Sequence, residues 1–196
     1  MRNKQLQKDL AGVNYHGVKR WTRKWDVFRR QIILVPVHRP TILHWCLYAI
    51  HIIKLKKPRK GRTAPLHKVR IEYYDSLTGV RFCPDTYKNL VRWLQLEYYY
   101  NYGRQLKEIE HESGGSALQN NGYDCGVHVC ANAFALCYGI APYTFFTGDH
   151  MKEFRVHIAL SIERQRILEK FKYHPTEWLY RKDKNEVKDK NTSSKK

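Results

Sequence analysis

Eleven residues, Leu43–Ile53 (LHWCLYAIHII), put apolar side chains on both faces of any strand they form. A strand of that kind must be covered on both sides, so the run reads as a central strand of a sheet. It is too short to cross a bilayer, and no run of about 18 apolar residues occurs elsewhere, so no transmembrane helix is expected. Val69–Tyr74 (VRIEYY) alternates and reads as the partner strand, ended by Asp75-Ser76 and Gly79. The two form a hairpin whose connection, Lys54–Lys68 (KLKKPRKGRTAPLHK), is long, basic and without apolar period. Upstream, Ile32–His38 (IILVPVH) is a short β-branched run, closed by Arg39-Pro40, and reads as a buried strand.

The second half changes period. Asp85–Tyr98 (DTYKNLVRWLQLEY) spaces Leu90, Trp93 and Leu94 helically, with Asp85 near its N-cap. Ser113–Tyr123 (SGGSALQNNGY) is loop chemistry. Cys125–Tyr138 is an apolar helix ended by Gly139, and His150–Phe171 is a long amphipathic helix. Strands followed by helices give an α+β chain with a mixed or antiparallel sheet and helices packed on it.

With 196 residues, 42% of them hydrophobic, the chain suits one domain with tails and is too apolar for disorder. Its +18 charge raises nucleic acid as a partner, but the distribution argues otherwise. Residues 1–30 net +7, residues 54–70 net +8 and residues 181–196 net +4, which leaves −1 for the rest. Basic runs at two ends and one loop fit address signals, acidic partners or loose nucleic-acid contacts. A dedicated nucleic-acid surface would interleave charge with aromatics across the folded elements. The opening MRNKQLQKDL has no apolar core, so a secretory leader is not expected there. The five cysteines, Cys46, Cys83, Cys125, Cys130 and Cys137, are an odd number without a leader, which points to free thiols in a reducing compartment. Two disulfides and one spare thiol remain the alternative.

Three segments carry candidate chemistry: His44-Trp45, Tyr73–Ser76 (YYDS) and Gln119–Gly126 (QNNGYDCG). Cys125 follows an Asn-Gly turn and opens an apolar helix, where unpaired N–H groups and the macrodipole favour a thiolate. A thiol nucleophile needs a base, and the base needs an orienting acceptor. The hairpin puts His44 and Asp75 near the same end of the sheet. Gln119, six residues before Cys125, offers an amide N–H that can join the Cys125 backbone N–H in an oxyanion hole. Taken singly, each has a plain structural reading: a small core thiol, a satisfied strand histidine, a turn aspartate and a core tryptophan.

Together these segments resemble the ubiquitin-like-protein proteases, and more closely the SUMO-specific (sentrin-specific) cysteine proteases. Val18–Phe28 (VKRWTRKWDVF), Ile33–His38 (ILVPVH), Ile71–Ser76 (IEYYDS) and Phe145–Arg155 (FFTGDHMKEFR) match that family's strings in its order, over about Val18 to Leu168. The resemblance implies a papain-like or adenain-like fold, a central mixed sheet flanked by helices with the nucleophile at a helix N-terminus. It implies Cys125 as nucleophile, His44 as base, Asp75 as orienter and Gln119 as oxyanion donor. Trp45 would cover the tunnel holding a Gly-Gly tail, since a flat ring over two residues without side chains excludes bulkier ones. The implied reaction is cleavage after the C-terminal Gly-Gly of SUMO, in a precursor or an isopeptide, with no metal or organic cofactor. SUMO and SUMO-conjugated proteins would be the partners of a nuclear monomer without membrane contact.

The chain departs from the pattern in four places. It looks shortened at the N-terminus, with residues 1–17 as a basic lead to a protease domain at 18–170. The basic connection 54–68 is an insertion. Arg39–Leu43 before His44 is longer than usual, which leaves His38 as a rival base. Residues 171–196 are an unmatched basic tail, expected to be disordered. The alternatives are a same-family protease for NEDD8 or ubiquitin, a modifier-binding pseudo-protease, and a nucleic-acid-binding protein.

Overall fold

The structure is a computed structural model that describes residues 15–55, 66–78, 82–145, 147 and 150–165. The expectations for the basic lead, most of the 54–68 insertion and the 171–196 tail fall largely or wholly outside these residues.

Four strands form one sheet in the order β1-β2-β3-β4: β1 Ile32–Arg39, β2 His44–Lys54, β3 His67–Tyr74 and β4 Ile109–Ser113. Residues 46–50 of β2 are all buried, as expected of a strand with neighbours on both edges. Leu55 N–H donates to the Leu66 carbonyl at 3.0 Å and closes the β2–β3 hairpin. β4 instead runs parallel to β3, with Val69 opposite Ile109 and Tyr73 opposite Ser113, so the sheet is mixed. The helices are α1 Tyr15–Thr22, α2 Pro84–Tyr102, α3 Cys125–Cys137, α4 Pro142–Phe145 and α5 Met151–Glu163.

The structure corrects several expectations. β1 is an edge strand of intermediate burial rather than a buried one, and its Pro36 is exposed. Proline has no N–H to give a ladder, which suits an edge. Asp85 does lie near the N-cap of α2: Cys83 is the N-cap residue, Pro84 opens the first turn and Asp85 adds its charge there. α2 also runs a turn further than expected and stops where Gly103 takes φ +62°. α1, β4 and α4 were not foreseen.

By contact the chain divides into two compact units, residues 1–37, 48–73 and 79–114 in the first and residues 38–47, 74–78 and 115–196 in the second, over their described parts. In the first unit the fully buried Phe28 ring meets Tyr98 edge-on at 4.8 Å and lies 5.5 Å from His67. Thr22 donates to the buried Glu97 carboxylate at 2.7 Å, which ties α1 to α2. In the second unit α3 lays Val127, Ala131 and Ala135 against Met151 and Phe154 of α5. Gly139 ends α3 at φ +70°: its N–H donates to Leu136 and that of Ile140 to Ala135, a Schellman pair.

Candidate active site

All five residues singled out for chemistry, His44, Trp45, Asp75, Gln119 and Cys125, lie in the second unit. The Arg39–Leu43 stretch explains how His44 is presented. Pro40–Ile42 form a 3-10 turn, and Leu43 follows in the left-handed region at φ 49°, turning the chain into β2. His44 opens β2 with 2% of its surface exposed. Its Nε2 lies 2.6 Å from Asp75 Oδ1, just past the end of β3. With Asp75 ionised, Nε2 carries the proton and Nδ1 is left as the basic nitrogen. His38, the rival base, is exposed and packs its ring 4.8 Å from that of Trp45. Trp45 remains 41% exposed.

Asp75 Oδ1 also accepts from Leu77 N–H at 2.9 Å, an Asx-type turn that fixes the carboxylate. The next residue anchors the nucleophile loop. Ser76 Oγ donates to Gln119 Oε1 at 2.6 Å, and Gln119 N–H donates to the Ser76 carbonyl at 2.8 Å. Gln119 Nε2 gives one hydrogen to the Asn121 carbonyl at 2.5 Å, which leaves its second hydrogen uncommitted. The Gln119 side chain is therefore held from both ends while keeping a donor.

Cys125 is the first residue of α3 and 7% exposed. Asp124, at the N-cap, makes no side-chain cap bond. Its carboxylate instead accepts from Asn121 Nδ2 at 2.7 Å and from Arg155 of α5. The first-turn N–H groups are thus not taken up by a capping carboxylate. Asn121 Oδ1 accepts from the N–H groups of Tyr123 and Asp124, so the Asn-Gly turn holds its own shape. Burial pushes the Asp124 carboxyl up, but the Asn121 and Arg155 bonds and the Arg155 charge outweigh it and hold it below the usual value. That stabilisation is present above the unfolded carboxyl's pKa and is lost as pH falls through the lowered one. Arg155→Ala leaves a buried carboxylate with one partner fewer. Because Arg155 is half exposed, we expect about 1–2 kcal/mol of destabilisation, read as a Tm drop of about 3–6 °C. An unchanged Tm would mean the pair does not hold the loop.

His128, one turn into α3, was not singled out. It is 1% exposed, and neither ring nitrogen has a hydrogen-bond partner among the described residues. Burial lowers its pKa below 6.5, against the opposing pull of Asp124. The unfolded chain therefore takes up a proton before the folded one does, and stability falls as pH drops below about 6.5. His67 and His157 shift the same way, also by burial. His128→Leu is expected to raise Tm and to flatten, not abolish, the loss between about pH 7.5 and 5.5. An unchanged pH slope in thermal melts would overturn this.

The sequence marked Ser76 and Asn121 only as turn residues and gave Asp124 and Arg155 no role, yet all four hold the site's loop by the bonds above. All five cysteines are free; Cys46 is buried, whereas Cys130 and Cys137 are exposed.

A thiol opening a helix that packs in a hydrophobic core, in one unit with a carboxylate-held histidine at a sheet end, defines the papain-like class of thiol peptidases. Sequence comparison narrows the class. The model of the Ulp1 protease family, C-terminal catalytic domain, matches residues 2–169. Mouse sentrin-specific protease 3 is 30% identical over 151 residues, covering 73% of this chain and 22% of its own length. Human sentrin-specific protease 2 is 32% identical over 166 residues, covering 81% of this chain and 24% of its own length. The chain thus spans about a quarter of the relatives it matches. Among solved structures, the C-terminal Ulp1 protease domain in complex with Smt3, the yeast ortholog of SUMO, shares the fold: TM-score 0.53, 24% identity, 80% of this chain and 64% of that one. Ulp1 with its catalytic cysteine oxidised to a sulfenic acid superposes at TM-score 0.53 with 25% identity, over 79% of this chain and 64% of that one. The chain belongs to the Ulp1 protease family of cysteine-type peptidases.

Proposed function

We propose that this chain is a thiol peptidase that cleaves after the C-terminal Gly-Gly of SUMO, from precursors, from lysine isopeptides or from both. The observation that carries the reading is the buried His44–Asp75 pair at 2.6 Å, in the same unit as a thiol at the start of α3. In this mechanism His44 Nδ1 takes the Cys125 proton and the sulfur attacks the carbonyl of the last Gly. The tetrahedral oxyanion accepts the uncommitted Gln119 Nε2–H and the Cys125 backbone N–H. Collapse breaks the C–N bond, and His44 returns the proton to the departing amine. Water, activated by His44, then hydrolyses the thioester and releases the Gly carboxylate. The half-exposed Trp45 ring covers the Gly-Gly tail. Membership of the family supports SUMO as the modifier, and the basic segments support a nuclear site of action.

The test is labelling with SUMO, NEDD8 and ubiquitin that each bear a C-terminal thiol-reactive group, with Cys125→Ala as control. A Cys125-dependent adduct with SUMO alone is the expected result. Equal or faster labelling by NEDD8 or ubiquitin would overturn the choice of modifier. No adduct from folded protein would overturn the catalytic reading. Nuclear location is tested by imaging the tagged full-length protein; exclusion from the nucleus would reject it.

A further inference from the structure

The outer edge of β4 and the groove beside it have no part in the chemistry above. β4 is the last strand of the sheet order. Val69 N–H donates to the Glu108 carbonyl and Gly114 N–H to the Tyr73 carbonyl, which fixes the phase of the parallel ladder. Even-numbered residues of β4 then bond to β3, while Ile109, His111 and Ser113 turn their N–H and C=O groups outward. Nothing among the described residues pairs with that edge. Exposed edges are commonly blunted by proline or by free charges. β4 has no proline, and Glu110 is drawn back onto β3 by Lys68 at 2.6 Å; Glu112 lies 3.6 Å from an Arg70 that also pairs with Glu72 at 3.0 Å, on the face away from α2.

The odd-numbered side chains face α2, as the His111 ring shows by lying 4.8 Å from that of Tyr87. On that side an open groove runs between α2 and the segment entering β4. Val91, Leu106 and Ile109 are its apolar lining, and Lys88, Arg92 and Lys107 are cations on its rim. No acid lines it; Asp85 reaches Lys88 only at 3.8 Å, with both heads exposed. Such a pair holds little energy and leaves the rim cationic.

We propose that this edge takes an extended acidic peptide of another protein by strand addition. Its main chain would pair with Ile109, His111 and Ser113, and the side chains on its α2-facing side would put apolar groups into the groove and carboxylates against Lys88, Arg92 and Lys107. Charge complementarity selects this occupant. Residues 1–14, 56–65 and 166–196 of the chain itself all net positive, and a second copy would bring another +18. Neither complements a cationic rim. The inference goes beyond the peptidase reading and does not depend on it.

The test uses the full chain and a short fluorescent Glu–Val peptide, Glu-Thr-Val-Thr-Glu-Thr-Val, whose Glu and Val side chains share one face of the strand and whose Thr side chains take the other. The controls are the same peptide with alternate backbone nitrogens methylated, a Lys–Val peptide, and a single-stranded RNA of matched charge. Binding of the Glu–Val peptide is expected to slow amide exchange at Ile109, His111 and Ser113 and to be lost on methylation in the phase that faces β4. The triple variant K88E/R92E/K107E, with rim residues that are all exposed, should bind it at least about tenfold more weakly at an unchanged Tm. The absence of binding, indifference to methylation in both phases, protection confined to other segments, or tighter RNA binding lost in the triple variant would each overturn the proposal.

Discussion

Cys125→Ala is expected to abolish hydrolysis of a SUMO precursor, a loss of at least about 10⁴-fold, because in the proposed mechanism it removes the atom that forms the covalent bond. The substitution deletes one sulfur from a residue that is 7% exposed, with no backbone change, so the fold should persist. Cys46, Cys130 and Cys137 offer no substitute. Cys46 is buried within β2. Cys130 and Cys137 lie further along α3, beyond the first turn that Cys125 opens. Although Cys130 is an exposed residue overall, desolvation at its sulfur pushes the thiol up, which favours the protonated form that does not attack. Cys130→Ala and Cys137→Ala should therefore leave turnover within about twofold of the parent. Initial rates on a SUMO precursor, with Tm measured on each variant, check all three. Residual turnover by a folded Cys125→Ala protein would place the nucleophile elsewhere.

The strands and helices that bury apolar faces were legible in the sequence because their periods are strong. Leu43–Ile53 announced β2, Leu90, Trp93 and Leu94 announced α2, and Gly139 marked the end of α3 within a residue. β4 was not legible: Ile109–Ser113 (IEHES) has a single apolar side chain, and only its parallel pairing with β3 makes it a strand. β1 read as buried because Ile, Leu and Val dominate it, yet its edge position leaves it half covered. The site shows the same division. His44, Asp75, Gln119 and Cys125 stood out as residue types in order. The bonds that hold them run from Ser76 to Gln119, 43 residues apart, and from Asp124 to Arg155, 31 apart. No local pattern reports such pairs, since they depend on how the sheet end meets the loop before α3. His128 stayed hidden because an apolar helix with one histidine reads as core, and only its burial without a partner sets it apart.

Asp75→Asn is expected to slow turnover by about 10–10²-fold, and Asp75→Ala by about 10²–10⁴-fold, the range typical of losing an oriented general base. The difference comes from Leu77. Its N–H donates to Asp75 Oδ1, the same oxygen that lies 2.6 Å from His44 Nε2. An asparagine at 75 keeps an oxygen there, because rotating its amide would set an NH₂ against the Leu77 N–H. His44 then still donates through Nε2, and Nδ1 stays available to the thiol. What Asn lacks is the charge opposite the imidazolium that forms as Cys125 loses its proton. Alanine removes the charge and the oxygen together. The Leu77 N–H and the buried imidazole lose their acceptor, and the proton is no longer held on Nε2. Single-turnover rates for the two variants, with Tm as a control for folding, separate orientation from charge. Equal losses would mean that charge alone matters, and no loss in either would remove Asp75 from the mechanism.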